Sequence, residues 1–154
     1  MTQIMILVAV LLVGAVIGIL ARRREGRVRN APAAKATAPE DTQRTALLAA
    51  AGVGAAQPAV LHFSAEWCGP CAAVRRVVGG VVADLAETQA PPRDIEVDID
   101  AEPALARELN VLSLPTTFVF DAEGRERFRI SGVPKTADLR SALVPLTEPE
   151  PHCA

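Results

Sequence analysis

Cys68 and Cys71, separated by Gly69-Pro70 and preceded by Trp67, are the residues whose types and spacing can do chemistry. Two cysteines one helical turn apart, just after the apolar run Ala59–Ser64, form a dithiol that can close to a disulfide and reopen. At the first turn of a helix, unpaired N–H groups and the helix dipole favour a thiolate, and such placement lowers a thiol pKa from about 8.5 toward 7. Cys68 is therefore the expected nucleophile on a partner's disulfide. Cys71, deeper in the turn, resolves the mixed disulfide. Gly69 lets the partner approach closely, and Pro70 lacks the N–H that a first turn would leave unsatisfied. Trp67 is expected to shield the dithiol and contact partners, with plain core packing as the alternative. No metal is expected, because one Cys-X-X-Cys supplies two ligands and no second pair or His cluster completes four.

The elements that must position this pair are written on either side of it. Residues 42–51 read as a short helix closed by Gly52 and Gly54. Ala59–Ser64 is nearly all apolar, as suits a central strand buried on both faces. Residues 68–86 have helical spacing, with Val74, Val77, Val78, Val81, Val82 and Leu85 on an inner face. Gly79-Gly80 costs that helix about 1 kcal/mol per glycine against alanine, so a kink or break is expected there. Residues 94–100 alternate Ile95, Val97 and Ile99 with charged side chains, and residues 102–109 form a short helix. Thr116–Phe120 and residues 125–130 are strands joined by the turn 121–124, and residues 136–146 form a last amphipathic helix. The order β-α-β-α-β-β-α predicts a mixed sheet covered by helices on both faces, an α/β domain.

The N-terminus is of another kind. The chain has 154 residues, enough for one domain of about 100 plus extras. Residues 1–21 carry no charged side chain, and 18 to 21 residues of helix span roughly 27 to 31 Å, close to a bilayer's hydrocarbon core. No basic residue precedes the run, while Arg22, Arg23, Arg24, Arg27 and Arg29 follow it, which favours a transmembrane helix over a cleaved signal peptide. The positive-inside rule then puts the soluble domain on the cytoplasmic face of the cell membrane, single-pass. A chain with only three cysteines, not a multiply bridged scaffold, agrees with that reducing compartment. Residues 22–44 mix Arg, Ala, Pro and Thr without apolar periodicity and read as a basic juxtamembrane linker. They hold seven basic and three acidic residues, whereas residues 58–154 hold nine basic and fifteen acidic. The basic collar either grips anionic headgroups or only fixes topology. The acidic domain, poor in aromatics, excludes nucleic acid as an expected partner.

Three segments carry a family resemblance. Phe63-Ser-Ala-Glu-Trp-Cys-Gly-Pro-Cys71 resembles the active-site segment of thioredoxins, Leu112-Ser-Leu-Pro115-Thr-Thr their cis-proline loop, and Ile130-Ser-Gly132-Val their late glycine segment. The resemblance covers residues 57–146. It implies a thioredoxin fold, here preceded by one N-terminal transmembrane helix: residues 1–21 the helix, 22–44 the linker, 45–147 the thioredoxin-like domain, and 148–154 a disordered tail. It implies a redox-active Cys68–Cys71 disulfide with no other cofactor, disulfide-containing protein substrates and an electron-donating reductase. It also implies a cis bond between Leu114 and Pro115 beside the sulfurs, with Leu114's backbone pairing to an extended partner segment. Gly132 joins the substrate-binding set with Trp67, Gly69, Pro70, Leu114 and Pro115.

The departures from the family pattern matter. His62 stands where thioredoxins usually have a buried Asp, and Glu96 where they usually have a Lys. The expectation is that these two face each other beneath Cys71. There His62 accepts the Cys71 proton while Glu96 holds the imidazolium, a task suited to an imidazole near neutral pH; a structural His is the alternative. Arg76 replaces a helix proline and Ala72 a Lys, which bears on recognition by a standard thioredoxin reductase. Cys153 reads as an incidental solvated thiol, with metal binding or a third redox thiol as alternatives. The reading is a membrane-tethered thiol–disulfide oxidoreductase serving cell redox homeostasis. The alternatives are an extracytoplasmic reductase or isomerase for exported proteins or apocytochromes, and a non-catalytic docking module.

Overall fold

The computed structural model describes residues 2–24, 28–30 and 38–148, with side chains for 5–19, 28 and 42–148. In chain order the elements are α1 (Thr2–Arg24), β1 (Val28–Asn30), α2 (Ala38–Ala50), β2 (Ala59–Ser64), α3 (Cys71–Asp84), β3 (Arg93–Asp98), α4 (Pro103–Glu108), β4 (Thr116–Phe120), β5 (Glu126–Ser131) and α5 (Thr136–Thr147). The strands form one mixed sheet in the order β1-β5-β4-β2-β3. β2 pairs parallel with β3 and antiparallel with β4, and β5 pairs antiparallel with both β4 and β1.

Period-two alternation in β2 and β4 sorts the core into two layers. Leu61, Phe63, Phe118 and Phe120 pack with Leu48 of α2 and Leu105 of α4. Phe63 meets Phe118 edge-on, ring centroids 6.0 Å apart. Val60, Val119 and Ile130 pack on the other side against Val74, Val78 and Val81 of α3 and Leu139 and Leu143 of α5. Both faces of β2 are thereby buried, as its apolar sequence predicts. Each fully buried side chain of this kind contributes about 1.5–3 kcal/mol.

Four expectations change. α3 begins at Cys71, not Cys68, because Pro70 caps it and Cys68 lies in the preceding turn, its N–H donating to Ala65 at 3.1 Å. α3 also runs unbroken through Gly79 and Gly80. Val74, Val78 and Val81 are wholly buried on either side of the glycines, and that packing outweighs two unfavourable propensities. The stretch read as structureless linker contributes β1 and the start of α2. Val28 pairs with Ile130 and joins the α3/α5 core, so β5 has a partner where the sequence offered only three unremarkable residues.

The fourth concerns the N-terminal span. Among the described residues no helix is long and apolar enough to cross a membrane. The backbone of α1 is helical over 23 residues, about 35 Å, but its side chains are described only for 5–19, about 22 Å of helix. The proposed tail from residue 149, including Cys153, and linker residues 25–27 and 31–37 lie outside the described residues.

Candidate active site

β2 delivers the dithiol. The strand ends at Ser64, Ala65 and Glu66 turn the chain, and Cys71 opens α3 beneath the turn. Cys68 and Cys71 are closed as a disulfide with Cα atoms 5.5 Å apart. Their burial is unequal. Cys68 is 9% exposed at the rim, while Cys71 is 1% exposed with its Sγ 3.9 Å from the Phe63 carbonyl oxygen. Ala65, Ile99 and Leu114 pack around the pair.

The second wall comes from the loops before β4 and after β5. The Leu114–Pro115 bond is cis, as the resemblance implied. Gly132 takes a φ of +85°, a conformation costly to any residue with a Cβ, and donates its N–H to the Pro115 carbonyl at 2.8 Å. Pro70, Leu114, Pro115, Ser131 and Gly132 line a groove of about 320 Å³ beside the disulfide. Nothing stands within 4 Å of where a Gly69 side chain would begin, so a partner's backbone has free approach. Trp67 is 70% exposed with its indole N–H donating to Asp100 at 3.2 Å, which removes core packing as its role. Leu112, 87% exposed, projects from the opposite loop, a feature missed in the sequence because surface apolar residues look like core ones there.

Beneath the disulfide the charged groups are arranged differently from the expectation. His62 is 1% exposed, and its Nε2 lies 3.0 Å from Asp94, not from Glu96. Glu96 is level with His62 in the ladder, but Arg75 of α3 holds its carboxylate at 2.7 and 2.9 Å. Burial would raise the Glu96 pKa. Hydrogen bonds from Ser64 and Arg75 and the nearby cationic charge outweigh it, and the carboxyl is held below its usual range. The His62–Glu96 pair is thus replaced by a His62–Asp94 pair with Glu96 engaged alongside. The alternation of β3 puts Asp94 and Glu96 on one face, where Arg75 holds Glu96 and His62 meets Asp94. His62 Nδ1 and the hydroxyl of Thr117, its cross-strand neighbour, are buried and without a hydrogen-bond partner.

The thioredoxin family model matches residues 45–144, which include the dithiol, the cis-proline and Gly132. The chain belongs to the thioredoxin family. It is 38% identical over 91 residues to the thioredoxin of Mycolicibacterium smegmatis, covering 59% of this chain and 80% of that one. It is 33% identical over 93 residues to thioredoxin H-type 1 of Nicotiana tabacum, covering 60% and 69%. The fold is also that of the solved thioredoxin NaTrxh from Nicotiana alata, with a TM-score of 0.53 at 22% identity over 70% of this chain and 87% of that one. As a thioredoxin-family protein the chain is a thiol–disulfide oxidoreductase, and members of that family act on disulfide substrates and are reduced by a thioredoxin reductase. The redox-active disulfide is the only prosthetic element such chemistry needs, and among the described residues no cluster of His, Cys, Asp and Glu could hold a metal ion.

Proposed function

We propose that this thioredoxin-family chain is a membrane-tethered reductase of protein disulfides. The observation that carries the redox reading is the unequal burial of the pair beside an open groove: Cys68 at the rim, Cys71 beneath it. In the reduced protein, Cys68 thiolate attacks one sulfur of a partner's disulfide, whose bond breaks and leaves a partner thiolate. Cys71 then loses its proton and attacks Cys68, releasing the second partner thiol. Two electrons pass to the partner, and a reductase returns the Cys68–Cys71 disulfide to the dithiol. The groove takes an extended segment, which pairs with the Leu114 backbone and packs on Trp67, Gly69, Pro70, Pro115 and Gly132. His62 is the acceptor of the Cys71 proton. Asp94 fixes the ring through Nε2 and leaves Nδ1 free as the base, a role supported by the unpartnered, buried state of that nitrogen.

The membrane reading is supported by α1. Residues 1–21 carry no charged side chain, and large apolar side chains on that helix such as Met5, Leu7, Val10 and Leu11 are 60% or more exposed. The arginines that follow favour a cytoplasmic domain. Insulin reduction by the full chain in detergent tests the chemistry. The wild type should precipitate insulin chains and Cys68→Ser should not, while Cys71→Ser should accumulate a mixed disulfide. Equal activity in wild type and Cys68→Ser sinks the proposal. Reporter fusions at the C-terminus decide the side of the membrane: a cytoplasm-only reporter should be active and an export-only reporter silent.

A further inference from the structure

The register of the sheet shows which end of the domain α1 is joined to. His62, Thr117, Ile130 and Val28 form a single cross-sheet row from β2 through β4 and β5 to β1. The next row toward the dithiol holds Phe63, Thr116 and Ser131. Beyond it lie Cys68, cis-Pro115 and Gly132. β1 is antiparallel to β5, so its first residue, Val28, is the one at the dithiol end, and the strand runs away from there. The chain arriving from α1 therefore enters the domain at the end where the groove opens.

The distances are short. α1 ends at Arg24, and the four Cα steps to Val28 extend no more than about 14 Å. Three strand spacings of roughly 4.8 Å separate β1 from β2, so the row holding Val28 is about 14 Å across. Trp67 and Leu112, the large apolar side chains exposed among the described residues of the domain, sit on the loops flanking that same end. With β1 zipped to β5, the chain from α1 meets the domain at its dithiol end, no more than about 14 Å from the end of the helix.

We infer that the dithiol groove is held at the bilayer surface and turned toward it, so that its substrates are disulfides in membrane-proximal segments of membrane-anchored partners. The inference rests on the reading of α1 as a membrane helix. That reading alone would place the domain near the bilayer in any orientation, and the β1 register adds the orientation. The partner's chemistry follows: an extended stretch bearing a disulfide within one or two nanometres of the headgroups, with apolar neighbours to meet Trp67 and Leu112.

The test reconstitutes the full chain in vesicles of phosphatidylcholine with a minority of phosphatidylglycerol. The probe is a disulfide-quenched dye on a lipid-anchored peptide, set either directly at the surface or on a long Gly/Ser spacer. The wild type should reduce the surface-set probe about tenfold faster than the spaced one, because orientation raises the effective concentration of one probe only. A variant with about twenty Gly/Ser residues inserted between Gly26 and Arg27 frees the domain to tumble and should bring the two rates together. Its insulin reduction in detergent should match the wild type, which confirms that it is folded. Vesicles that float without the protein overturn both the anchor and the orientation. Flotation with equal rates on the two probes, or a preference that survives the insertion, overturns the orientation and leaves the anchor standing.

Discussion

Asp94 and Glu96 sit two residues apart on one face of β3, and each has a separate partner: His62 for the first, Arg75 for the second. This division makes the proton-transfer assignment testable residue by residue. His62→Ala should slow the breakdown of the mixed disulfide near neutral pH by about a hundredfold, the usual scale for losing a positioned base. Asp94→Asn should shift the pH profile of that step, while Glu96→Gln should leave it where it was. Stopped-flow measurement of partner release gives the answer, and equal shifts from Asp94→Asn and Glu96→Gln would remove Asp94 from its positioning role. The reactive cysteines were legible in the sequence from their spacing, and Pro115 and Gly132 from the resemblance of their segments to those of thioredoxins. Asp94 was not, since two carboxylates on one strand face look alike in sequence and the contact with His62 is made across the sheet. A second carboxylate yields a stability prediction. Asp121 is buried, and it accepts bonds from the N–H groups of Glu123 and Arg125 and from both Arg125 and Arg127 side chains. Burial pushes its pKa up, and the Arg125 and Arg127 contacts push it further down, so the net shift is downward. A lowered folded pKa gives stability that is fully present above the unfolded value of about 3.9 and is lost as pH falls through the folded value. Asp121→Asn should therefore cost about 2 kcal/mol at pH 7 by urea unfolding, and the penalty should shrink below about pH 4.

At the scale of elements, the strands and helices of the domain were largely readable because β2, β4 and α3 carry unmistakable apolar patterns. β2 and β4 occur with the boundaries their sequences suggest. What failed was local propensity judged without its tertiary partners. The glycine pair in α3 argues for a break only if the helix stands alone, and here the valines on its inner face press it to the sheet. Gly80 points into open space, with nothing within 4 Å of an added Cβ. Gly80→Ala should thus stabilise the protein by about 0.5–1 kcal/mol, raising the melting temperature by a few degrees in a thermal scan. Gly79 is different. An alanine Cβ there would stand 4.0 Å from the Asp94 carboxylate, an ordinary contact that begins to cover a group His62 depends on. Gly79→Ala should gain similar stability yet alter the pH profile of the resolving step, a combination that Gly80→Ala lacks. β1 escaped notice for the complementary reason. Three residues cannot signal a strand by pattern, and it exists because β5 offers an edge to pair with.

For the whole molecule, β1 changes what the N-terminal third does. Read as a tether, residues 22–44 would leave the domain free at the end of a flexible leash. With β1 in the sheet, the part nearest α1 is structural, and the domain's fold begins at Val28, not at α2. Stability and membrane attachment should accordingly separate at different truncation points. A chain starting at residue 27 removes α1 and keeps β1. It should lose vesicle flotation while keeping both insulin reduction and the urea midpoint of the full domain. A chain starting at residue 38 also removes β1, exposing Phe128 and Ile130 along the freed edge of β5. Losing the half-buried Val28 and its ladder should cost about 1–2 kcal/mol, read as a lower urea midpoint with an almost unchanged slope. Insulin reduction should survive, because the dithiol, cis-Pro115 and Gly132 all lie on elements that remain. If the two truncations unfold at the same urea concentration, β1 contributes nothing to the fold, and the domain is free to turn its dithiol in any direction.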